Sequence, residues 1–387
     1  MSIPTSRRNR CLVVLGFAML AGRVIESSAG TAPKVIRHGV VYEEKGRFAG
    51  WPANHGSWSW GDEILVGFSR GYDKDRGPFH HIDKEKPEDY LLARSRDGGA
   101  TWSVEKPRPP GALVGTPGMR HGIFPPGEPE ETLIDQVEPI DFTHPDFAFT
   151  VRMENSNNGV SRYYDSYDRG NTWKGPYRLP LFGLKGVMGR TDYLVNGSKD
   201  VLLFLTASKE NGKEGRPFVA RTTDGGLTWK FVAFIGPEPT GYSIMPSTVR
   251  LSASELVTTI RRADAPKSWI EAYGSTDDGK SWEKISTPEP DAGEGNPPSL
   301  LRLSDGRLCL VYGYRAAPFG ISARFSNDKG RTWSAPISLR DDGGGRDLGY
   351  VRSVIRPDGE IVSIYYFHDK PSSPRYLAAT VWDPGTE

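Results

Sequence analysis

An eight-residue pattern, Ser/Thr-x-Asp-x-Gly-x-Ser/Thr-Trp, recurs five times and constrains the fold more than any other feature of the chain. An aspartate that accepts hydrogen bonds from backbone amides, followed by a glycine that adopts a positive φ, is typical of a tight turn. The tryptophan adds a large apolar face for burial against a neighbour. A pattern that returns at such an interval predicts a repeat architecture. The five copies, which we call the boxes, occupy residues 95–102, 166–173, 222–229, 275–282 and 326–333.

Each box occupies the same place in a pattern of four strands. In the fifth unit, runs of β-branched and aromatic residues at 299–303, 308–312 and 321–325 predict three strands before the box, and a fourth follows it. The 45 glycines and 31 prolines among 387 residues favour short strands and turns over long helices. A four-stranded unit repeated around an axis is a propeller blade, so we expect an all-β chain.

A sixth unit, residues 350–382, contains three predicted strands but no box. The strand predicted at residues 35–42 belongs to no other blade and would supply the missing fourth strand. Closing the ring with the two chain ends removes the open strand edges that promote aggregation. The sequence thus predicts a six-bladed β-propeller, closed by its N-terminal strand, in one domain over residues 33–386. The proline-rich stretch 106–141 is too long for an ordinary connection, and we expect it to form a lid or a decorated loop.

The first 29 residues are typical of a secretory signal peptide. Three arginines precede an apolar run at residues 11–22, and small residues follow at 27–29. The alternative interpretation is a buried N-terminal strand. The apolar run is too short to span a bilayer, and charges interrupt every later one. We therefore expect cleavage near Ala29 and a secreted or periplasmic protein without a membrane span, in which Cys309 is a buried, unreactive thiol.

The charge and the histidines limit the classes of partner. A formal net charge of +1 gives no basic surface for nucleic acid, so we expect no nucleic-acid partner, and we expect a monomer. The pair His80-His81 and the triplet 144–146 offer metal-ligand side chains, but no spacing specifies a closed metal site. We expect no cofactor, and calcium in a loop or in the central channel is the one ion left open.

The boxes resemble the Asp-box, or BNR, repeats of the sialidase superfamily, and the resemblance covers nearly all of the chain after residue 29. It implies a six-bladed propeller with the boxes at one end and a glycan site at the other. On that basis, the site is lined by the starts of the first strands and by the loops after the second strands. The candidate residues at these places are His55, Arg70, Asp73, Asp75, His144, Asp146, Arg190, Asp192, Arg261, Arg315, Tyr350, Arg352 and His368.

Sialidases use a tyrosine nucleophile assisted by a glutamate, an acidic residue as acid/base, and three arginines that bind the substrate carboxylate. The resemblance implies that Tyr350 is the nucleophile, that Asp73 or Asp75 is the acid/base, and that arginines such as Arg261 and Arg315 bind the carboxylate. The first-blade Arg-Ile-Pro signature and the helper glutamate of the fourth blade are absent from the sequence. We therefore expect an exo-acting, sialidase-like glycosidase rather than a strict sialidase.

Three functions fit these residues. The leading one is a glycoside hydrolase that acts on an acidic or terminal sugar of a complex glycan. The second rests on a resemblance to propeller rhamnosidases and rhamnose–glucuronate lyases, which implies His55 as acid or base, since imidazole titrates near neutrality. The third is a glycan-binding propeller without catalytic activity. A hydrolase yields a new reducing sugar, a lyase yields unsaturated products that absorb ultraviolet light, and a binding protein yields no product.

Overall fold

The computed structural model describes residues 1–2, 30–109, 112–113 and 132–386. Most of the predicted signal peptide, residues 1–29, lies outside the described residues, as does much of the 106–141 segment. The described residues form twenty-five strands in six sheets and one short helix. The sheets are the blades of a propeller, which confirms the predicted all-β, six-bladed fold.

In blades 1 and 3, the first strand is divided into two shorter strands. The chain enters along β1 (Lys34–Tyr42), which belongs to the last blade. Blade 1 contains β2 (Arg47–Gly50), the helix α1 (Pro52–His55), β3 (Ser57–Trp60), β4 (Glu63–Tyr72), β5 (Asp89–Ser95) and β6 (Ser103–Glu105). Blade 2 contains β7 (Ala148–Met153), β8 (Ser161–Ser166) and β9 (Lys174–Arg178). Blade 3 contains β10 (Val187–Met188), β11 (Tyr193–Gly197), β12 (Asp200–Ser208), β13 (Glu214–Thr222) and β14 (Lys230–Phe234).

The last three blades are regular four-stranded antiparallel sheets. Blade 4 contains β15 (Tyr242–Arg250), β16 (Leu256–Asp264), β17 (Lys267–Ser275) and β18 (Glu283–Glu289). Blade 5 contains β19 (Pro298–Arg302), β20 (Leu308–Tyr314), β21 (Gly320–Ser326) and β22 (Ile337–Arg340). Blade 6 contains β23 (Gly349–Ile355), β24 (Ile361–Phe367), β25 (Tyr376–Asp383) and, as its outer strand, β1.

The two ends of the domain close the ring as predicted. Strand β1 pairs antiparallel with β25 from Lys34 opposite Asp383 to Tyr42 opposite Leu377. Just before β1, the backbone amide of Thr31 donates to Oγ1 of Thr386 at 3.1 Å. The outer edge of β25 is thereby paired by the chain's own first strand.

Each box is a turn held together by its own aspartate. In the first box, Asp97 Oδ1 accepts the backbone N–H of Thr101 at 2.8 Å and Oδ2 accepts its hydroxyl at 2.6 Å. The amide of Gly99 donates to Ser95 Oγ at 2.7 Å. The bonds from Thr101, with smaller contributions from Ser95 and a neighbouring amide, lower the pKa of Asp97 to about 2. The same aspartate-to-hydroxyl bond recurs at Asp168, Asp224, Asp277 and Asp328.

Large apolar side chains fill the space between adjacent blades. Phe48 of blade 1 packs against Tyr366 of blade 6, with ring centroids 5.9 Å apart. Trp58 packs in the same way against Trp173, the tryptophan of the second box, at 5.6 Å. Burying each such side chain stabilises the fold by about 1.5–3 kcal/mol. Cys309 is a buried free thiol whose pKa is raised by desolvation, which confirms the predicted buried cysteine.

Blade 2 departs from the predicted plan, because its described sheet has three strands. Strand β7 begins at the end of the propeller that carries the boxes, because Ala148 pairs with Ser166, the first residue of the second box. In the other blades the second strand begins at that end, so β7 corresponds to a second strand. The amide of Arg169 donates to the carbonyl of Asp146 at 2.9 Å, as Gly98 donates to Asp62 in blade 1. His144 and Asp146 therefore lie in a turn at the box end. Their predicted position at the start of a first strand, on the glycan end, is wrong.

The inner edge of β7 is covered by residues of the neighbouring blades. The hydroxyl of Thr150 in β7 donates to the carbonyl of His55 at 2.9 Å. The amide of Val151 donates to Oγ1 of Thr191 in blade 3 at 3.2 Å. The helix α1 thus supports blade 2 from the centre of the ring.

Candidate functional site

The strand register defines two ends of the propeller. In blade 4, the box begins at Ser275, which pairs with Leu256, and Leu256 pairs with Arg250 at the end of the first strand. The start of that strand, at Tyr242, therefore lies at the opposite end. We call the end without boxes the site end. It also receives the loops after the second strands, as predicted.

Three residues at the site end, two in first strands and one between β2 and α1, have left-handed backbone geometry. The φ angles of Trp51, Met245 and Tyr350 are 61°, 57° and 53°. Such geometry costs a residue other than glycine about 1–3 kcal/mol, and it persists only where the surroundings impose it. Met245 and Tyr350 pack in one cluster with Ala53 of the helix α1. The strained positions of blades 4 and 6 are therefore in contact around one centre.

Asn296 of blade 5 imposes the geometry of Tyr350. Its Oδ1 accepts the backbone N–H of Tyr350 at 2.7 Å, and its Nδ2 donates to the carbonyl of Leu348 at 2.9 Å. Gly349, between these two residues, has a φ of 102°, and a Cβ built there would lie 2.2 Å from Asn296 Nδ2. The site therefore needs a glycine at this position and an amide side chain opposite it.

The phenol of Tyr350 lies among arginine side chains. Arg261 Nη1 donates to the phenol oxygen at 3.4 Å, and the guanidinium carbon of Arg315 is 5.4 Å from the ring centroid. Loss of solvent around the phenol works against its ionisation, but the charges of Arg261, Arg315 and Arg190 outweigh it and lower the pKa of Tyr350. The phenolate is therefore more accessible here than in water.

The two arginines nearest to Tyr350 have different roles. Arg315 donates to the carbonyls of Leu348 and Gly295 and to the hydroxyl of Tyr366, with distances from 2.7 to 3.2 Å, so it holds the backbone around the tyrosine. Arg261 is also buried, yet its Nε has no hydrogen-bond partner among the described residues. Arg261 therefore has donor capacity for a bound anion, whereas Arg315 contributes mainly its charge.

Arg190 completes the cationic group. Its Nε donates to Asn54 Oδ1 at 3.2 Å, and its two terminal nitrogens bind the carboxylate of Glu214. Glu214 balances much of the charge of Arg190. The excess positive charge at the phenol therefore comes mainly from Arg261 and Arg315.

Asp192 and Arg352 are packed at the centre, where they join the first strands. Arg352 Nη2 donates to the carbonyls of Ala53 and Thr191 at 3.0 and 2.7 Å. Asp192 Oδ2 accepts the hydroxyl of Thr248 at 3.0 Å. Burial raises the pKa of Asp192 to about 7, although the charge of Arg352 and the bonds from Thr248 oppose the rise. This pair supports the strands that carry the site.

A histidine–aspartate pair that no local sequence pattern predicted lies beside Tyr350. His80 Nδ1 is 2.6 Å from Asp347 Oδ1, and the His80 ring centroid is 6.1 Å from that of Tyr350. Asp347 also binds the hydroxyl of Tyr366 at 2.8 Å and Nε of Arg375 at 3.0 Å. The sequence offered one signal, since Asp347 lies three residues before Tyr350, but nothing in it linked that aspartate to His80.

The predicted first-blade carboxylates lie in the loop after β4. Asp73 is partly buried, and desolvation raises its pKa, although the charges of Arg375 and His81 oppose the rise. Asp75 is exposed, with its Oδ1 accepting the amide of Gly77 at 2.9 Å and lying 3.5 Å from His81 Nε2. The loop reaches the site end, but its residue next to Tyr350 is His80 and neither aspartate.

Two other predicted residues have local partners away from the phenol. Arg70 binds Asp89 at 2.6 Å and Glu44 at 3.1 Å, at the boundary between blade 1 and the outer strand β1. His368 is buried, and its Nδ1 lies 2.8 Å from the carbonyl of Lys370. Burial, followed by the charge of Arg375, lowers the pKa of His368. Arg70 is therefore outside the cluster, and His368 is a neutral side chain at its margin.

His55 is buried in a hydrogen-bonded position. Its Nε2 is 3.1 Å from Ser69 Oγ, its Nδ1 accepts from Arg152, and its ring meets the edge of Tyr90 at 4.9 Å. The cavity beside the ring, with Gly189 on its wall, has a volume of about 20 Å³, which is room for roughly one water. The ring is therefore well placed to fix blade 1 against blade 2.

Within the described ranges, no three side chains of His, Cys, Asp or Glu converge as a metal-ligand set. No helix in those ranges has the length and apolar character needed to cross a membrane.

The sequence and the fold were compared with those of known proteins. A family model described as a BNR repeat-like domain matches residues 144–375, more than half of the chain. No curated protein matches the chain. A protein of unknown function from Dyadobacter fermentans has a similar structure, with a TM-score of 0.68 and 22% identity, over 91% of this chain and 99% of that one.

Two similar structures are of named enzymes. The NanB sialidase of Streptococcus pneumoniae aligns with a TM-score of 0.57 and 13% identity, over 90% of this chain and 70% of that one. An α-L-arabinofuranosidase from Fusarium graminearum aligns with a TM-score of 0.53 and 14% identity, over 91% of this chain and 97% of that one. At these identities the likeness concerns the fold. The chain belongs to the BNR repeat-like family, and its fold is the propeller of the sialidase superfamily.

Proposed function

We propose that the protein is a glycoside hydrolase that removes a carboxylate-bearing sugar from the end of a glycan, with Tyr350 as its nucleophile. The observation that carries the proposal is the position of the Tyr350 phenol, 3.4 Å from Nη1 of Arg261 and beside Arg315, where the charges of the arginines lower its pKa despite the loss of solvent around it. The similarity of the fold to a sialidase and to an arabinofuranosidase supports glycoside hydrolysis as the class of reaction.

Arg261 is the residue that we assign to the sugar carboxylate. It is buried, it already contacts the phenol of Tyr350, and its Nε lacks a partner among the described residues. A buried guanidinium with unused donors is costly unless an anion binds it. A carboxylate satisfies the guanidinium through two parallel hydrogen bonds, and its charge compensates that of the arginines.

The reaction then proceeds in two displacements. The phenolate oxygen of Tyr350 attacks the anomeric carbon while the glycosidic C–O bond breaks, and the departing oxygen takes up one proton. Water next attacks the same carbon, gives up a proton, and releases the phenolate. The net change is the addition of one water across the bond, with retention at the anomeric carbon. A phenol suits this role because, before it ionises, it does not repel an anionic sugar.

We further propose that the protein is exported after removal of residues 1–29 and acts as a monomer on extracellular or periplasmic glycans. The basic, apolar and small residues at the N-terminus support export. Sequencing the N-terminus of the protein recovered from the periplasm or the medium tests this proposal. A chain that keeps Met1 and stays in the cytoplasm would contradict it.

The activity is tested by incubating the protein with α-sialosides, β-glucuronides and α-galacturonides and identifying the products by mass and ultraviolet absorbance. We expect release of a reducing acidic sugar without new absorbance. Tyr350→Phe should lower turnover by about a thousandfold or more. The matched control Tyr177→Phe removes a phenol hydroxyl from the outer strand β9 and should leave turnover unchanged. Unsaturated products would instead indicate a lyase, and binding without product would indicate a glycan-binding propeller.

A further inference from the structure

His80 is held beside Tyr350 by contacts that come from the other end of the chain. It lies in the loop between β4 and β5, and its Nδ1 is 2.6 Å from Asp347 Oδ1 in the loop before β23. The amide of His81 donates to Asp347 Oδ2 at 3.0 Å, and Arg346 donates to the carbonyl of Pro78. One carboxylate thus fixes both the ring of His80 and the backbone that follows it.

The state of Asp347 determines which nitrogen of His80 exchanges a proton. Burial works against its ionisation, but the contacts with His80, Arg375 and the His81 amide hold the pKa of Asp347 well below its usual range. The ionised carboxylate accepts the proton on Nδ1 of His80. Proton gain and loss at that ring then take place at Nε2.

The ring of His80 is partly exposed and lies close to the phenol of Tyr350. Its side chain is 29% exposed, whereas that of Asp347 is 2% exposed. Its ring centroid is 5.3 Å from that of Trp51 and 6.1 Å from that of Tyr350. Retaining glycosidases require a nucleophile and a proton-transfer group that lie close together. Among the described residues, the ionisable groups in or against the loop of His80 include Asp73, Asp75, His81, Arg346, Asp347, Tyr350, Tyr366 and Arg375.

We propose that His80 is the general acid/base of this site and that Asp347 is its positioning residue. The inference rests on the proposed glycoside hydrolysis and adds the proton-transfer group. In the first displacement, the Nε2–H of the imidazolium gives its proton to the departing glycosidic oxygen as the phenolate of Tyr350 bonds to the anomeric carbon. In the second, Nε2 takes a proton from the attacking water, and Tyr350 departs as phenolate. Protons and charges balance over the cycle.

The test compares two glycosides of the acidic sugar that the wild-type protein cleaves, a 4-nitrophenyl glycoside and an alkyl glycoside. Nitrophenolate departs without a proton, whereas an alkoxide needs one. His80→Ala should lower turnover of the alkyl glycoside by about 100-fold to 10,000-fold and slow the initial release of nitrophenol by less than about tenfold. Added azide should restore turnover of the nitrophenyl glycoside and yield a glycosyl azide, because azide needs no general base.

His81→Gln is the matched control, since it removes an imidazole from the same loop whose Nε2 is 3.2 Å from the carbonyl of Gly77. The His81→Gln variant should retain wild-type turnover.

Asp347→Asn should shift the basic limb of the pH profile to lower pH, because the imidazolium of His80 loses its counter-charge. Near-ultraviolet circular dichroism checks that each variant is folded.

Each outcome is decisive. Equal losses on both glycosides in a folded His80→Ala variant, or no loss on either, would overturn the role of His80 and leave the proposed hydrolysis standing. If the wild-type protein cleaves none of the acidic glycosides, the proposed function fails and this inference fails with it.

Discussion

At the scale of single residues, two buried arginines of the site differ in the hydrogen bonds that their guanidinium groups donate. Arg315 uses them on backbone carbonyls and Tyr366, whereas Arg261 has an Nε without a partner among the described residues. Both lower the pKa of Tyr350. The charge that favours the phenolate is therefore built into the fold, while the capacity to bind an anion belongs mainly to Arg261.

Arg261→Ala should weaken substrate binding and raise the pKa of Tyr350, because a cation that favours the phenolate is removed. We expect KM for an acidic glycoside to rise by about 10-fold to 100-fold, from the loss of a charged hydrogen bond worth about 1.5–3 kcal/mol. The activity of the variant should then require higher pH. Steady-state kinetics and an ultraviolet titration of the phenol measure the two effects.

Arg331→Ala is the control, since it removes an exposed arginine from the fifth box at the other end of the propeller. An unchanged KM in the Arg261 variant would show that the carboxylate binds elsewhere.

The sequence predicted part of the candidate site because strand ends can be located from local patterns. Local patterns placed Arg261 at the end of a second strand and Tyr350 at the start of a first strand, and the resemblance to sialidases assigned such positions to the site. Asp347 was missed, because its partner His80 is 267 residues away and no local pattern joins them. His144 and Asp146 were misplaced because an interrupted blade cannot be recognised from strand runs alone.

At the scale of elements, the boxes and the first strands follow different rules. A box contains its own hydrogen-bond partners, as Asp97 and Thr101 illustrate, so its turn was predictable in all five copies. The first strands bend where contacts from other blades hold them, as Asn296 holds Tyr350. Those bends depend on tertiary contacts, so the strand propensities of the residues do not predict them.

Gly349→Ala should perturb the site through the backbone. The added Cβ meets Asn296 at 2.2 Å in a residue with a φ of 102°, so we expect a loss of about 1–3 kcal/mol in stability and a large loss of activity. Gly359→Ala is the matched control, since its φ is 91° but no described atom lies within 4 Å of the new Cβ.

Urea unfolding and turnover measure the two glycine variants. The Gly359 variant should show the cost of the backbone geometry alone and keep its activity. Equal activity in both variants would contradict the proposed coupling between Asn296 and Tyr350.

At the scale of the whole molecule, the ring is closed by hydrogen bonds between its two ends. The pairing of β1 with β25 continues to Thr31 and Thr386, whose hydroxyl oxygens are 3.3 Å apart. Closure by an early strand was predictable, because the sixth unit lacked one strand and the N-terminal region had one to spare. The support of blade 2 by α1 was not, because it depends on the carbonyl of His55 rather than on a side-chain pattern.

A disulfide at the closure should stabilise the whole propeller. In the double variant Thr31→Cys/Thr386→Cys, an oxidised bond would join the ends of the ring and restrict the unfolded chain, which is worth about 2–4 kcal/mol. Scanning calorimetry should show a higher Tm when oxidised than when reduced, and the reduced form is the internal control. If the Tm values agree, the ends separate only after the blades have unfolded.

Because blade 2 depends on its neighbours, the blades should differ in how well they tolerate a change in chain connectivity. Blades 4 to 6 each have a complete first strand, whereas the inner edge of β7 borrows its partners from His55 and Thr191. New termini introduced between blades 4 and 5 would cut a connection between two sheets that each have a complete first strand. A circular permutation opened between blades 1 and 2 would separate a sheet from the scaffold that completes it. We therefore expect the protein to tolerate new termini between blades 4 and 5 better than new termini between blades 1 and 2.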